Sequence, residues 1–252
     1  MRHRWRLLSI PVALLAVGVL AVQVSGRDGA AAMLKADPEE ILSQPALRQV
    51  ALAHGVRVYQ AHCASCHGGS GTGDPVLGVP DLTAARHLYG EGRVAEIEDI
   101  ARHGIRSADK RGFSLASMPA FGTPRPYKNE PLPSLTPGQI EGLTQYVLAL
   151  RSRETDPAAA KQGSVLYHGH AGCYDCHGNS GEGDSAIGAP SLTAGPWVFG
   201  QGSHDDIYKT LVAGRAGVSP AFGRVLNATE LRSVAVYVAS LRKATNQQAQ
   251  AQ

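Results

Sequence analysis

The chain has 252 residues, 43% hydrophobic and 6% aromatic, with 29 glycines and a formal charge of +3. That length suits about two small domains. The nearly balanced charge and the absence of a long basic run argue against a nucleic-acid partner. All four cysteines fall in two short motifs, so none is left for a disulfide.

Residues 1–26 read as a targeting segment. Arg2, Arg4 and Arg6 precede Leu7–Val24, 18 residues without a charge. The stretch is long for a signal-peptide core and short for a spanning helix. Its charge placement puts the N-terminus in the cytoplasm and the rest outside. It is read as an uncleaved anchor, with cleavage near Val24-Ser25-Gly26 or Ala30-Ala31-Ala32 as the alternative. Either way the remainder faces the bacterial periplasm. Residues 27–44 read as a linker.

A first domain is expected over 45–152. A helix at about 45–60 leads into Cys63-Ala64-Ser65-Cys66-His67. C-x-x-C-H is the attachment signature of a c-type haem. Cys63 and Cys66 would form thioethers to the haem vinyl groups, and His67 would take one axial position on the iron. The competing readings are a redox cysteine pair or half of a zinc site. Recurrence of the motif inside a repeat disfavours both. A short helix is expected at 94–103. Of the three methionines (Met1, Met33 and Met118), only Met118 falls in an expected domain, before Pro119 on a loop. It is the expected second axial ligand, opposite His67. Thr136, Pro137 and Gln139 then open a terminal helix with a cap, an N1 proline and a capping-box partner. Ile140, Leu143 and Val147 mark its apolar face.

After a linker at 153–158, a second copy covers 159–244, and 245–252 is a polar tail. Cys173-Tyr174-Asp175-Cys176-His177 lies 110 positions beyond the first motif. The same offset relates Gly78–Thr83 to Gly188–Thr193. It falls to 101 at Pro119–Gly122 and Pro220–Gly223, and to 91 at Tyr146 and Tyr237. The first copy therefore carries insertions near 107–115 and 124–133. Asn227 and Glu230 cap the second terminal helix. Ser219 stands where the first copy has Met118, so the iron of His177 is expected to lack a methionine. His168, His170 and His204 are its alternative ligands, the first two sitting on the proximal side.

Helix, motif, loops, short helix and terminal helix follow the order of a class I cytochrome c domain. The expected fold is all-α: two tandem domains of that class behind the hydrophobic segment, with two covalently attached haem c groups. Gly188–Thr193 with Trp197-Val198-Phe199-Gly200, Arg102–Arg106 and Met118–Gly122 carry a further likeness. On these the chain resembles the di-haem subunit III of cbb(3)-type cytochrome c oxidases over about residues 35–243. The resemblance implies single-electron transfer from a donor cytochrome or quinol-oxidising complex toward an acceptor oxidase or reductase, without catalysis of its own. It also implies a methionine where Ser219 stands. The alternatives are a di-haem oxidoreductase or peroxidase and a gas-binding sensor, each using a haem with an open iron position.

Overall fold

The computed structural model describes residues 28–127 and 132–242. The expected anchor at 7–24 and the tail lie outside these residues. No described helix is long and apolar enough to cross a membrane. The described backbone is helical, with isolated bridges. In the first repeat come α1 (Pro45–His62), α2 (Ala64–His67), α3 (Val94–His103) and α4 (Pro137–Ala149). In the second come α5 (Pro157–Tyr167), α6 (Cys173–His177), α7 (His204–Ala213) and α8 (Ala228–Ser240). The terminal helices start where their caps place them. Thr136 and Gln139 close a reciprocal capping box on α4, and Asn227 and Glu230 close one on α8.

The two sequence repeats are not the two packing units. α4, the last helix of the first repeat, packs on α5 and α7 of the second. α8, the last helix of the second, packs on α1 and α3 of the first. Unit II is therefore the continuous stretch 118–216, a circular permutation of the repeat. Unit I is built from 28–105 together with 219–242, on either side of it. Each unit has its own core. Unit II buries Phe121, Leu143, Val147, Leu166, Tyr167 and Leu211 together. Unit I joins Val58 and Tyr59 to Leu226, Leu231, Val234 and Val238.

The crossings are equivalent in detail. A Cβ on Gly55 of α1 would lie 2.2 Å from the Ser233 carbonyl oxygen of α8. A Cβ on Gly163 of α5 would lie 1.9 Å from that of Gly142 in α4. Only glycine admits so close an approach. Beside each crossing two tyrosines meet: Tyr59 with Tyr237 at 5.2 Å and Tyr146 with Tyr167 at 5.1 Å.

Two physical terms favour this exchange. Only seven residues, 150–156, join α4 to α5. Closing neighbours over so short a link costs little loop entropy. The second term is charge. Arg232 of α8 meets Glu98 of α3, and Glu141 of α4 meets His204 of α7. Arg232 and Glu141 are equivalent positions of the two terminal helices. Were each helix packed on its own repeat, Glu141 would face Glu98, carboxylate against carboxylate.

Both insertions are closed off by backbone hydrogen bonds. Phe113 N–H donates to Gly104 O at 3.0 Å and Arg106 N–H to Phe113 O at 2.7 Å, looping out the residues between. Leu135 N–H donates to Phe121 O at 2.9 Å. The uninterrupted copy makes the same bond from Leu226 to Phe222, at 2.8 Å.

The expected linker at 27–44 is part of unit I. Residues 28–35 are helical and Pro38–Ser43 form a 3-10 turn. Met33 and Ile41 are fully buried against Ala51, Val94 and Val236. The Glu39 carboxylate accepts from the N–H groups of Val94 and Ala95 and so caps α3. Met118 is thus not the only methionine within the packed units.

Candidate functional site

Each C-x-x-C-H motif is one helical turn. In the first, His67 N–H donates to Cys63 O and Gly68 N–H to Ala64 O, both at 2.9 Å. Residues three apart on such a turn share a face, so Cys63 and Cys66 point to one side. Gly68 ends the turn at φ 75° and Gly178 its counterpart at φ 78°. Tyr59 Oη donates to Gly68 O at 2.8 Å and Tyr167 Oη to Gly178 O at 2.6 Å. These bonds fix each turn to the helix before it.

The histidines are prepared as ligands. His67 Nδ1 lies 3.3 Å from Pro80 O, and His177 Nδ1 lies 2.9 Å from Pro190 O. A carbonyl only accepts, so Nδ1 carries the hydrogen and Nε2 keeps a lone pair. Burial lowers the pKa of both rings, which holds them in the neutral form that binds metal. Sequence reasoning missed the two prolines. The signal was present as a proline 13 residues after each histidine.

Burial disfavours the thiolate of the first cysteine in each motif. Burial pushes the Cys63 thiol up to about 11 and the Cys173 thiol to about 12. A reactive pair needs a lowered value. Among the described residues, no three His, Cys, Asp or Glu side chains could hold a metal ion together. Two thiols on one turn beside an oriented neutral imidazole fit a covalently held haem, and they do so twice.

The loop carrying Met118 lies on the second motif's unit, not the first. Met118 N–H donates to Arg215 O at 2.8 Å, and Arg215 N–H returns to Met118 O at 3.1 Å. Phe121 N–H then reaches Leu211 O and Gly122 N–H reaches Val212 O. Met118 packs on the same core as Cys173. The equivalent loop of the second repeat covers the first motif. Ser219 and Ile105 exchange both backbone bonds, at 2.9 and 3.0 Å. Phe222 N–H and Gly223 N–H bond to Ala101 O and Arg102 O. Phe222 joins the core that contains Cys63. The loop of Met118 thus lies on the unit of Cys173 and His177, not on that of His67 as the repeat order leads one to expect, because the terminal helices carry their loops with them.

His204 is not placed as a ligand. Its Nε2 lies 2.9 Å from both Glu141 carboxylate oxygens, and its ring stacks on Tyr208. His168 is held through both ring nitrogens by Ser164 O and Asn179 O. Arg106 clips the two crossing segments together, donating to Gly217 O at 2.6 Å and Ala116 O at 2.7 Å. Arg215 lies over the Phe199 ring at 4.2 Å and donates to the Thr210 hydroxyl.

The units also meet through equivalent loops. Gly200 N–H donates to Pro75 O at 2.8 Å and Gly90 N–H to Ser185 O at 2.9 Å. The Phe199 ring sits on Gly78, and the Tyr89 ring on Gly188. The two units thus meet through one pair of equivalent loops and one pair of crossing segments.

The family described as cytochrome c oxidase, cbb3-type, subunit III matches residues 50–147 and 158–238. The chain is 36% identical over 209 residues to the cbb3-type cytochrome c oxidase subunit CcoP of Azospirillum brasilense, covering 81% of this chain and 66% of that one. It is 35% identical over 204 residues to the subunit FixP of Azorhizobium caulinodans, covering 81% and 64%. With CcoP of Cereibacter sphaeroides it shares 31% identity over 209 residues, covering 83% and 67%. The chain spans just under two thirds of the length of the first two relatives.

Proposed function

Since the chain belongs to the family of cbb3-type cytochrome c oxidase subunit III, we propose that it is a di-haem c-type cytochrome relaying single electrons in a periplasmic respiratory chain. Its donor is a cytochrome or quinol-oxidising complex, and its acceptor a terminal oxidase. Haem c, when bound, supplies reversible one-electron exchange between ferrous and ferric iron. The protein's part is holding and spacing. Cys63, Cys66, Cys173 and Cys176 hold the two groups. His67 and His177 give each iron an oriented imidazole, and Met118 gives one of them a soft second ligand.

The observation that carries this reading is the pairing of the crossing segments. Arg215 is tied to Met118 and Ser219 to Ile105. Four residues of extended chain reach at most ~14 Å. The Met118 and Ser219 loops therefore lie close together, which favours rapid exchange between the sites. The Leu7–Val24 stretch would tether the pair to the inner membrane with both units on the periplasmic side.

The test is direct. Protein matured with haem-attachment machinery should gain the mass of two haems, retained on denaturation. Once reduced, it should pass electrons to a cbb3-type oxidase. A mature protein without covalent haem, or one that the oxidase cannot oxidise, overturns the reading. Spheroplast fractionation tests the tether: the haem protein should sediment with membranes, and recovery in the soluble periplasm would remove it.

A further inference from the structure

We propose that the iron held by His67, not the one held by His177, is where this chain takes up a small neutral diatomic ligand such as carbon monoxide or nitric oxide. The inference rests on the di-haem reading above. It goes further by assigning the vacancy to a particular motif and by naming the class of ligand.

The exchanged loops decide the matter. Ser219 and Met118 occupy equivalent places, each ahead of the Pro-Ala-Phe-Gly run. Each loop is fixed on its unit by the same set of backbone bonds. Ser219–Gly223 bonds to residues at the end of α3, and Met118–Gly122 to residues at the end of α7. The loop over the first motif therefore presents serine, and the loop over the second presents methionine.

Serine cannot replace the thioether. Its oxygen sits one atom closer to the backbone than a methionine sulfur, so it falls short of the iron. A neutral hydroxyl is also a hard donor, poorly matched to an iron that favours sulfur and nitrogen here. No hydrogen bond engages the Ser219 hydroxyl among the described residues. The hydroxyl is thus free to donate to a bound ligand. His103, the buried histidine of α3, cannot move in as a substitute. One ring nitrogen lies 3.1 Å from Asp109 and the other 3.5 Å from Asp99. The second iron is closed, because a soft axial methionine resists displacement.

The experiment uses the full holoprotein, first shown by mass to carry two haems. Their absence would sink the cytochrome reading itself, and this inference with it. Carbon monoxide titrated into the reduced protein should bind at one equivalent per chain. Ser219→Met should reduce that to none and add a second methionine-to-ferric-iron charge-transfer band. NMR then fixes the assignment without removing either haem. The ring-current-shifted methionine methyl should show contacts to the haem whose thioethers connect to Cys173 and Cys176. Contacts to the haem of Cys63 and Cys66 would overturn the proposal. So would wild-type protein inert to carbon monoxide, or two equivalents bound.

Discussion

Arg232 donates through Nε to the carboxylate of Glu98, although 134 residues separate them in the chain. Arg102 donates to the same carboxylate at 2.6 Å. The Arg232 and Glu98 side chains are only 14% and 12% exposed. This pair ties the last helix of the second repeat to the first repeat. Arg232→Glu would set two carboxylates together in a largely dry contact. A cost on the order of 3 kcal/mol is expected for breaking a buried pair by one partner. Thermal unfolding should show a clear fall in Tm, and the double change Arg232→Glu with Glu98→Arg should recover much of it. Equal Tm values for the single variant and wild type would remove charge from the account of the exchange.

The permuted unit predicts which fragments fold. Residues 116–217 contain α4, α5, the second motif, α7 and the Met118 loop. Expressed with haem-attachment machinery, this fragment should carry one haem and show the methionine-to-iron band. The sequence repeat 45–152 should be far less stable, because its terminal helix has no partner in it. A stable 45–152 fragment with that band would mean that the repeats close on themselves.

The helix crossing gives a packing test with an internal control. Gly163→Ala puts a methyl group 1.9 Å from the Gly142 carbonyl oxygen, so the helices must separate. About 2 kcal/mol or more is expected from such overpacking. Gly138, in the same pair of helices, has nothing within 4 Å of an added Cβ. Gly138→Ala should be neutral or stabilising by up to about 1 kcal/mol. Chemical denaturation of both variants decides it, and equal losses would contradict the close crossing.

The Glu141–His204 pair sets a pH dependence. The hydrogen bond to Glu141 raises His204 above its usual 6.5. Hydrogen bonds from Gln145 and then His204 lower Glu141 below its usual 4.5. A raised histidine contributes fully below its unfolded value and loses that contribution as pH rises through the folded one. A lowered carboxylate contributes above its unfolded value and loses it as pH falls. The pair is therefore strongest at about pH 5 to 6.5. Both side chains are well exposed, so the effect is small. The Tm difference between wild type and His204→Ala should be larger at pH 6 than at pH 8.5. A difference independent of pH would show that the pair contributes nothing.

The local parts of this protein were legible in its sequence. Cys63, Cys66 and His67, their counterparts, both capping boxes and the order of helices follow from spacing and residue type. The partner of each terminal helix did not. Ile140, Leu143 and Val147 in α4 match Leu231, Val234 and Val238 in α8. Two helices with the same apolar face fit either unit, so hydrophobic pattern alone leaves the choice open. The choice lies in weaker signals: the seven-residue link from α4 to α5, and glutamate in one helix where the other has arginine. The distal loops follow the helices, so the unit on which Met118 lies is as illegible in the repeat as the helix partners are. Residues 27–44 read as linker because a lone Met33 and Ile41 make no periodic pattern. Their burial depends on a groove that α8 completes.

The interrupted course of unit I sets an order of completion. A chain made from its N-terminus presents Cys63 and Cys66 well before Cys173 and Cys176. Yet the stretch that completes unit II ends near residue 216, while α8, which packs on α1 and α3 of unit I, is made later. The first motif to emerge thus belongs to the unit that is completed last. Until Ser240 has been synthesised, the groove of α1 beside Cys63 lacks the side chains of α8, so attachment at the first motif has the longest interval in which to occur.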